Sequence, residues 1–168
     1  MSDDEIVGTP VPGRPDLLKI SAEPVPVVPN PHHSTRTKAR KKALDILFEA
    51  ELRDRDLLTT LDEYIAHGEP PVRAFTEEII RGIDEHMGII DQRVAECCSA
   101  EWTMERMPRV DRNLARIAVW EIDYSETADE AVISEAVALA TEFSTDDSAS
   151  FINGLLAQAM RTKKTPEA

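Results

Sequence analysis

The residues best suited to chemistry lie in one short run, Arg36-Thr37-Lys38-Ala39-Arg40-Lys41-Lys42, which holds five cations in seven residues with no acid among them. Guanidinium and ammonium groups at this density match the regularly spaced anions of a nucleic-acid backbone, and their binding releases the counterions condensed on it. The run falls where a helix is predicted to begin, and a helix start already carries partial positive charge from the macrodipole. Five like charges there are costly, so a polyanion from outside the chain is the natural relief. Arginine-rich segments that order on RNA have this composition. The competing reading is a solvated basic end that balances a very acidic body.

The inventory for catalysis is thin. The four histidines are His32, His33, His67 and His86, and none has a Cys, Asp or Glu partner at metal-ligand spacing. Asp84-Glu85-His86 reads as an exposed helical face. There is no phosphate-cradling glycine loop, nucleophile elbow or HExxH. Cys97 and Cys98 are the only cysteines and are adjacent, which excludes a disulfide framework and suits a reducing cytosol. They read as helix-packed thiols. Asp146-Asp147-Ser148 lacks the further acids that calcium needs and reads as the N-cap of the last helix. The expectation is a protein that is not an enzyme and holds no metal or cofactor.

The elements that must position the basic run are helical. With 168 residues, 42% of them hydrophobic and only 5% aromatic, the chain has room for one domain with a real core, and leans away from a β-sandwich. The formal charge of −13 argues against indiscriminate coating of nucleic acid, so an anion-binding surface must be a local exception. No apolar run approaches the roughly 20 residues of a membrane span, and the acidic start is unlike a signal peptide, so a cytoplasmic protein without membrane contact is expected.

Seven of the eleven prolines fall within the first 31 residues. Proline lacks the amide donor and disfavours helix in the residue before it, so residues 1–33 are expected to be a disordered or extended tail. A helical domain over 34–161 and a polar tail over 162–168 follow. Ala39, Ala43, Ile46, Leu47 and Ala50 mark a first amphipathic helix, and Leu57, Leu58, Leu61 and Ile65 a second, closed by Gly68. Phe75, Ile79, Ile83, Ile90 and Val94 mark a long third, on which Gly82 and Gly88 suggest close helix packing. The helix opened by Pro108 is apolar on most of its circumference and therefore central. Two more start at Asp129 and near Ser148. No convincing strand is found, and the expectation is an all-α compact bundle of six or seven helices. Phe48, Phe143 and Phe151 sit at element edges, where aromatics anchor partners as readily as they fill a core.

Four blocks read together resemble the NusB family of transcription antitermination factors. They are Ala39-Arg40-Lys41-Lys42-Ala43-Leu44 through Phe48-Glu49; Met107-Pro108-Arg109-Val110-Asp111-Arg112 through Trp120-Glu121; Ile133-Ser134-Glu135-Ala136-Val137; and Phe143-Ser144-Thr145-Asp146-Asp147-Ser148 leading to Phe151-Ile152-Asn153-Gly154-Leu155-Leu156. The resemblance covers about residues 35–160, and the last block is its most specific part. It implies seven helices in two packed sub-bundles. It also implies a non-enzymatic factor that binds boxA in the leader RNA of ribosomal operons together with NusE, a small-subunit ribosomal protein, and helps RNA polymerase in an antitermination complex read through terminators. The family's arginine-rich start falls on Arg36, Lys38, Arg40, Lys41 and Lys42, with Thr37 replacing one arginine. The NusE-facing positions fall on Phe48, Asp111, Phe143 and Phe151, with Asp147 near where RNA and partner surfaces meet. Cys97 stands where family members can present an aromatic to RNA. The alternative reading is a helical protein–protein adaptor, or a homodimer whose pairing hides the basic end.

Overall fold

A computed structural model describes residues 8–11, 14–20, 34–98 and 103–163. Val25, Val27, Val28, His32, His33, Trp102 and the end of the polar tail lie outside the described residues.

Ahead of the helices, β1 (Gly8–Val11) and β2 (Arg14–Ile20) pair antiparallel, with Gly8 opposite Ile20 and Pro10 opposite Leu18. This departs from the expectation that the chain holds no strand and that its proline-rich start lacks regular structure. In a two-stranded ribbon both strands are edges, where a sheet tolerates proline, and the register shifts between Pro10 and Val11.

Six helices follow among the described residues: α1 (Thr35–Leu52), α2 (Leu57–His67), α3 (Ala74–Cys97), α4 (Arg109–Tyr124), α5 (Asp129–Phe143) and α6 (Ser148–Arg161). The seventh helix implied by the resemblance is not among them. The connector ahead of α4 holds one turn, in which the Met107 amide donates to the Thr103 carbonyl at 3.2 Å. Pro108 ends that turn because the residue before a proline is driven toward extended backbone. Pro108 is itself the N-cap of α4. Side-chain caps start the first two helices: the Thr37 amide donates to Ser34 Oγ at 3.1 Å, and the Thr59 amide to Asp56 Oδ2 at 3.0 Å.

The helices form two groups of three, α1–α2–α3 and α4–α5–α6, joined where α4 packs on α1 and α3 and where α6 meets α3. The central place expected for α4 is observed: Leu114, Ala115, Ile117, Ala118, Val119, Trp120 and Ile122 are all buried. Its core-facing run is interrupted by one charge, Glu121, which is 1% exposed. Gly82 lets α3 approach α4 closely, since a Cβ there would lie 2.1 Å from Trp120 Nε1. Gly88 has no such role, because a Cβ there meets nothing within 4 Å. Nearby, α3 departs from helical geometry at His86, whose ring stacks on Tyr124 with centroids 4.2 Å apart. His86 is thus half-buried rather than on an open face.

Helices α1 and α4 run antiparallel. Near the end of α1, Glu51 accepts from Arg112 and from Asn113 Nδ2, the latter at 2.8 Å. Near its start, Arg40 meets Glu121, toward the end of α4. Two clasps at opposite ends fix the register of α1, and so the aim of its basic residues.

Candidate nucleic-acid and partner interface

The five cations do not form one patch. Arg36 is exposed, donates through Nη1 to Thr127 Oγ1 at 3.1 Å, and lies 4.6 Å above the Phe75 ring. Thr127 lies just ahead of α5 and Phe75 is in the first turn of α3, so the N-termini of α1, α3 and α5 converge on this arginine. Their partial positive charges reinforce it. Lys38 is exposed. Lys41 and Lys42 lie three and four residues on and share the outward side with it, though they lean apart. Lys41 Nζ is 2.8 Å from Asp45 Oδ2 and 5.1 Å from the Phe143 ring, whereas Lys42 Nζ lies 5.7 Å from Tyr64 on α2. Burial, helped by a hydrogen bond and charge from Glu49, pushes the Tyr64 phenol up to about 12.

Arg40 differs from its neighbours and from its expected role. It is 4% exposed, and its Nε and Nη2 both donate to the Glu121 carboxylate at 2.8 Å. Glu135 Oε2 is 3.8 Å from Nη1 and also accepts from Thr37 Oγ1 at 2.7 Å. One turn after Arg36, the helix has rotated this position toward α4 and α5, between the buried Ala39 and Ala43. Arg40 is therefore spent inside the bundle and presents no free guanidinium to a phosphate.

The aromatic set lies beyond Lys41. Phe143 is 38% exposed, Phe48 is half-buried beneath the Arg109 guanidinium at 5.7 Å, and Phe151 is half-buried against the core. Arg109 Nε is buried without a hydrogen bond among the described residues, 3.9 Å from Glu51 Oε2. Asp111, expected on the partner-facing surface, is instead 2% exposed. Its carboxylate accepts from Ser144 Oγ and, at 2.9 Å, from Ser148 Oγ. It ties the start of α4 to the turn that joins α5 to α6. Asp147 stands exposed in that turn at the expected N-cap position of α6, but its side chain makes no cap bond. Ser148 Oγ takes the local bond from the Thr145 amide at 3.3 Å.

Phe75, Tyr64, Thr127 and Arg109 escape a reading of the sequence because nothing in their spacing ties them to the basic run. Glu121 and Glu135 escape it as well, since each shares its helix with other carboxylates and only the packing shows which of them is turned toward Arg40. Cys97 and Cys98 are half-buried, and burial raises both thiols, Cys98 to about 11. Among the described residues no three His, Cys, Asp or Glu side chains are placed to hold a metal ion. No described helix is long and apolar enough to cross a membrane.

The NusB family model matches residues 37–161. A transcription antitermination protein NusB of Nocardioides sp. is 45% identical over 131 residues, 77% of this chain and 96% of the relative. Another, of Salinispora arenicola, is 49% identical over 125 residues, 72% and 91% of the two chains. Among solved structures, T. maritima NusB superposes with a TM-score of 0.69 at 30% identity, covering 77% of this chain and 93% of that one. A crystal structure of antitermination factors NusB and NusE in complex with dsRNA shares the fold, with a TM-score of 0.66 at 20% identity over 75% of this chain and 96% of that one.

Proposed function

The chain belongs to the NusB family, and from that premise we propose that it is a transcription antitermination factor that binds single-stranded boxA RNA jointly with NusE. The pair then acts within an RNA polymerase antitermination complex in the cytoplasm, by binding rather than by catalysis. The body carrying this function is residues 34–161.

Arg36, Lys38, Lys41 and Lys42 neutralise phosphates, and the exposed Asp147 lies where RNA and partner meet. Phe48, Phe143 and Phe151 receive NusE, joined by Arg109, whose guanidinium lies over Phe48 at 5.7 Å. Asp111 acts on that surface from below, by holding the turn. The observation that carries this reading is Lys41 at 5.1 Å from Phe143, which joins the cationic row to the aromatic row on a chain of net charge −13. A body so acidic repels RNA in general, so a local cationic row with a partner beside it favours specificity from the pair over affinity from one surface.

The test is fluorescence anisotropy with boxA and scrambled RNA, each with and without NusE, over a sodium chloride series. The expected result is tighter boxA binding with NusE present. Replacing Arg36 and Lys38 by alanine flattens the plot of log affinity against log salt by about 0.7 for each phosphate that is no longer neutralised. Equal affinity for boxA and scrambled RNA with NusE present overturns the reading. NusE binding without any RNA binding selects the adaptor alternative.

A further inference from the structure

Helix α1 begins with no acidic residue in its first turn and five cations close together. Both features oppose the helix dipole, and the Ser34 cap alone is worth only about 1 kcal/mol. The missing negative charge comes from other helices. Glu121 of α4 and Glu135 of α5 reach beneath the basic run, the first holding Arg40 by two 2.8 Å bonds and the second holding Thr37 at 2.7 Å. Phe75 adds a ring shared by Arg36 and Arg40, at 4.6 and 5.3 Å.

We infer that Glu121 and Glu135 are positioning residues for RNA binding, and that Arg40 is the anchor they grip rather than a phosphate ligand. This rests on the RNA-binding reading above. Arg40 cannot swing out to RNA without leaving Glu121 buried and uncompensated, which is the costly way to break such a pair. Held in place, it fixes the rotation of α1 so that Arg36, Lys38 and Lys41 stand outward before RNA arrives. The ordering cost then does not fall on the binding step.

The inference carries a sign that simple electrostatics does not share. Removing a carboxylate near an RNA-binding surface should tighten RNA binding by reducing repulsion. If the carboxylate positions the basic row, its removal weakens binding instead. Wild type, Glu121→Gln, Glu135→Gln, Arg40→Met and the Arg40→Met/Glu121→Met double variant are compared with NusE present, using boxA RNA over a salt series. Circular dichroism checks the folding of each.

Expected are roughly tenfold weaker binding for Glu121→Gln and Arg40→Met, and a smaller change in the same direction for Glu135→Gln, as fits charge-assisted bonds that must be pre-ordered. The double variant removes both buried charges together, so it should recover to within about twofold of wild type with an unchanged salt slope. Equal or tighter binding by either folded glutamine variant overturns the inference. So does a folded double variant whose salt slope falls by about 0.7, which would mean that Arg40 had itself been neutralising one phosphate of the single strand. If Glu121→Gln or the double variant fails to fold, the partly exposed Glu135→Gln decides by sign alone. Failure of wild type to bind boxA removes the functional reading as well, whereas the variant outcomes touch only the positioning role.

Discussion

At the start of α1 the buried anchor is a pair of full charges, Arg40 and Glu121; at the start of α4 it is one carboxylate, Asp111, taking two serine hydroxyls. Each anchor sits under a row of more exposed side chains: cations in the first region, aromatics in the second. The first joins α1 to α4 and α5, two consecutive helices far from it in the chain. The second joins α4 to a turn of a few residues. An ion pair in the core fixes a whole helix, while a hydroxyl pair on a carboxylate fixes a loop. The two regions should therefore fail differently when their anchors are removed.

The largest effect is expected at the charged anchor. Arg40→Met strands Glu121 in the core and should cost about 3–5 kcal/mol of stability, the usual range for breaking one side of a buried pair. Urea unfolding followed by circular dichroism measures it. A cost below about 1 kcal/mol, no more than an exposed pair contributes, would mean that Glu121 finds water or another cation, and the contrast between the two regions would collapse.

Asp111→Ala should cost less, about 1–3 kcal/mol, because the orphaned groups are neutral hydroxyls and Ser144 and Ser148 retain each other at 3.0 Å. The effect should be local. Hydrogen exchange should speed up over residues 144–148 while α1 keeps its protection, whereas Arg40→Met should loosen α1 and leave the turn protected. Equal loosening of both regions by either variant would show one cooperative unit instead of two.

The same contrast explains what could be read in the sequence. All six helices left a periodic trace, because each buries a face against neighbours, and the central place of α4 followed from its apolar circumference. Charge density singled out the basic run proposed to meet RNA: five cations on a chain of net charge −13 stand out whatever the fold. What could not be read was which way each charge turned. Arg36 and Arg40 are one helical turn apart and identical in type, yet one is exposed and the other is 4% exposed. That difference is set by Glu121, 81 residues from Arg40. Asp111 likewise looked like a surface carboxylate until the turn after α5 folded back onto it. The β1–β2 pairing escaped notice because proline argues against strands in general, and only an edge, a strand start or a bulge excuses it.

The smallest effect on stability, and the sharpest on function, is expected at Phe143. This ring is 38% exposed, so Phe143→Ala gives up only part of a buried ring and should cost about 1 kcal/mol of stability. If Phe143 is where partner and RNA surfaces join, its removal should nevertheless weaken NusE binding about tenfold or more, as truncation of a central aromatic anchor does. Lys41, whose Nζ lies 5.1 Å from the ring, supplies the internal control. Lys41→Ala should reduce RNA affinity and its salt slope but leave NusE binding within about twofold, because a partly exposed cation already paired with Asp45 adds little to an apolar contact. Calorimetry with NusE alone separates the two variants. Matching reductions in NusE affinity would mean that cation and ring act as one unit, so that the partner's footprint extends onto the basic row. An unchanged affinity for Phe143→Ala would move the partner's anchor to the pair formed by Phe48 and Arg109, whose ring and guanidinium lie 5.7 Å apart.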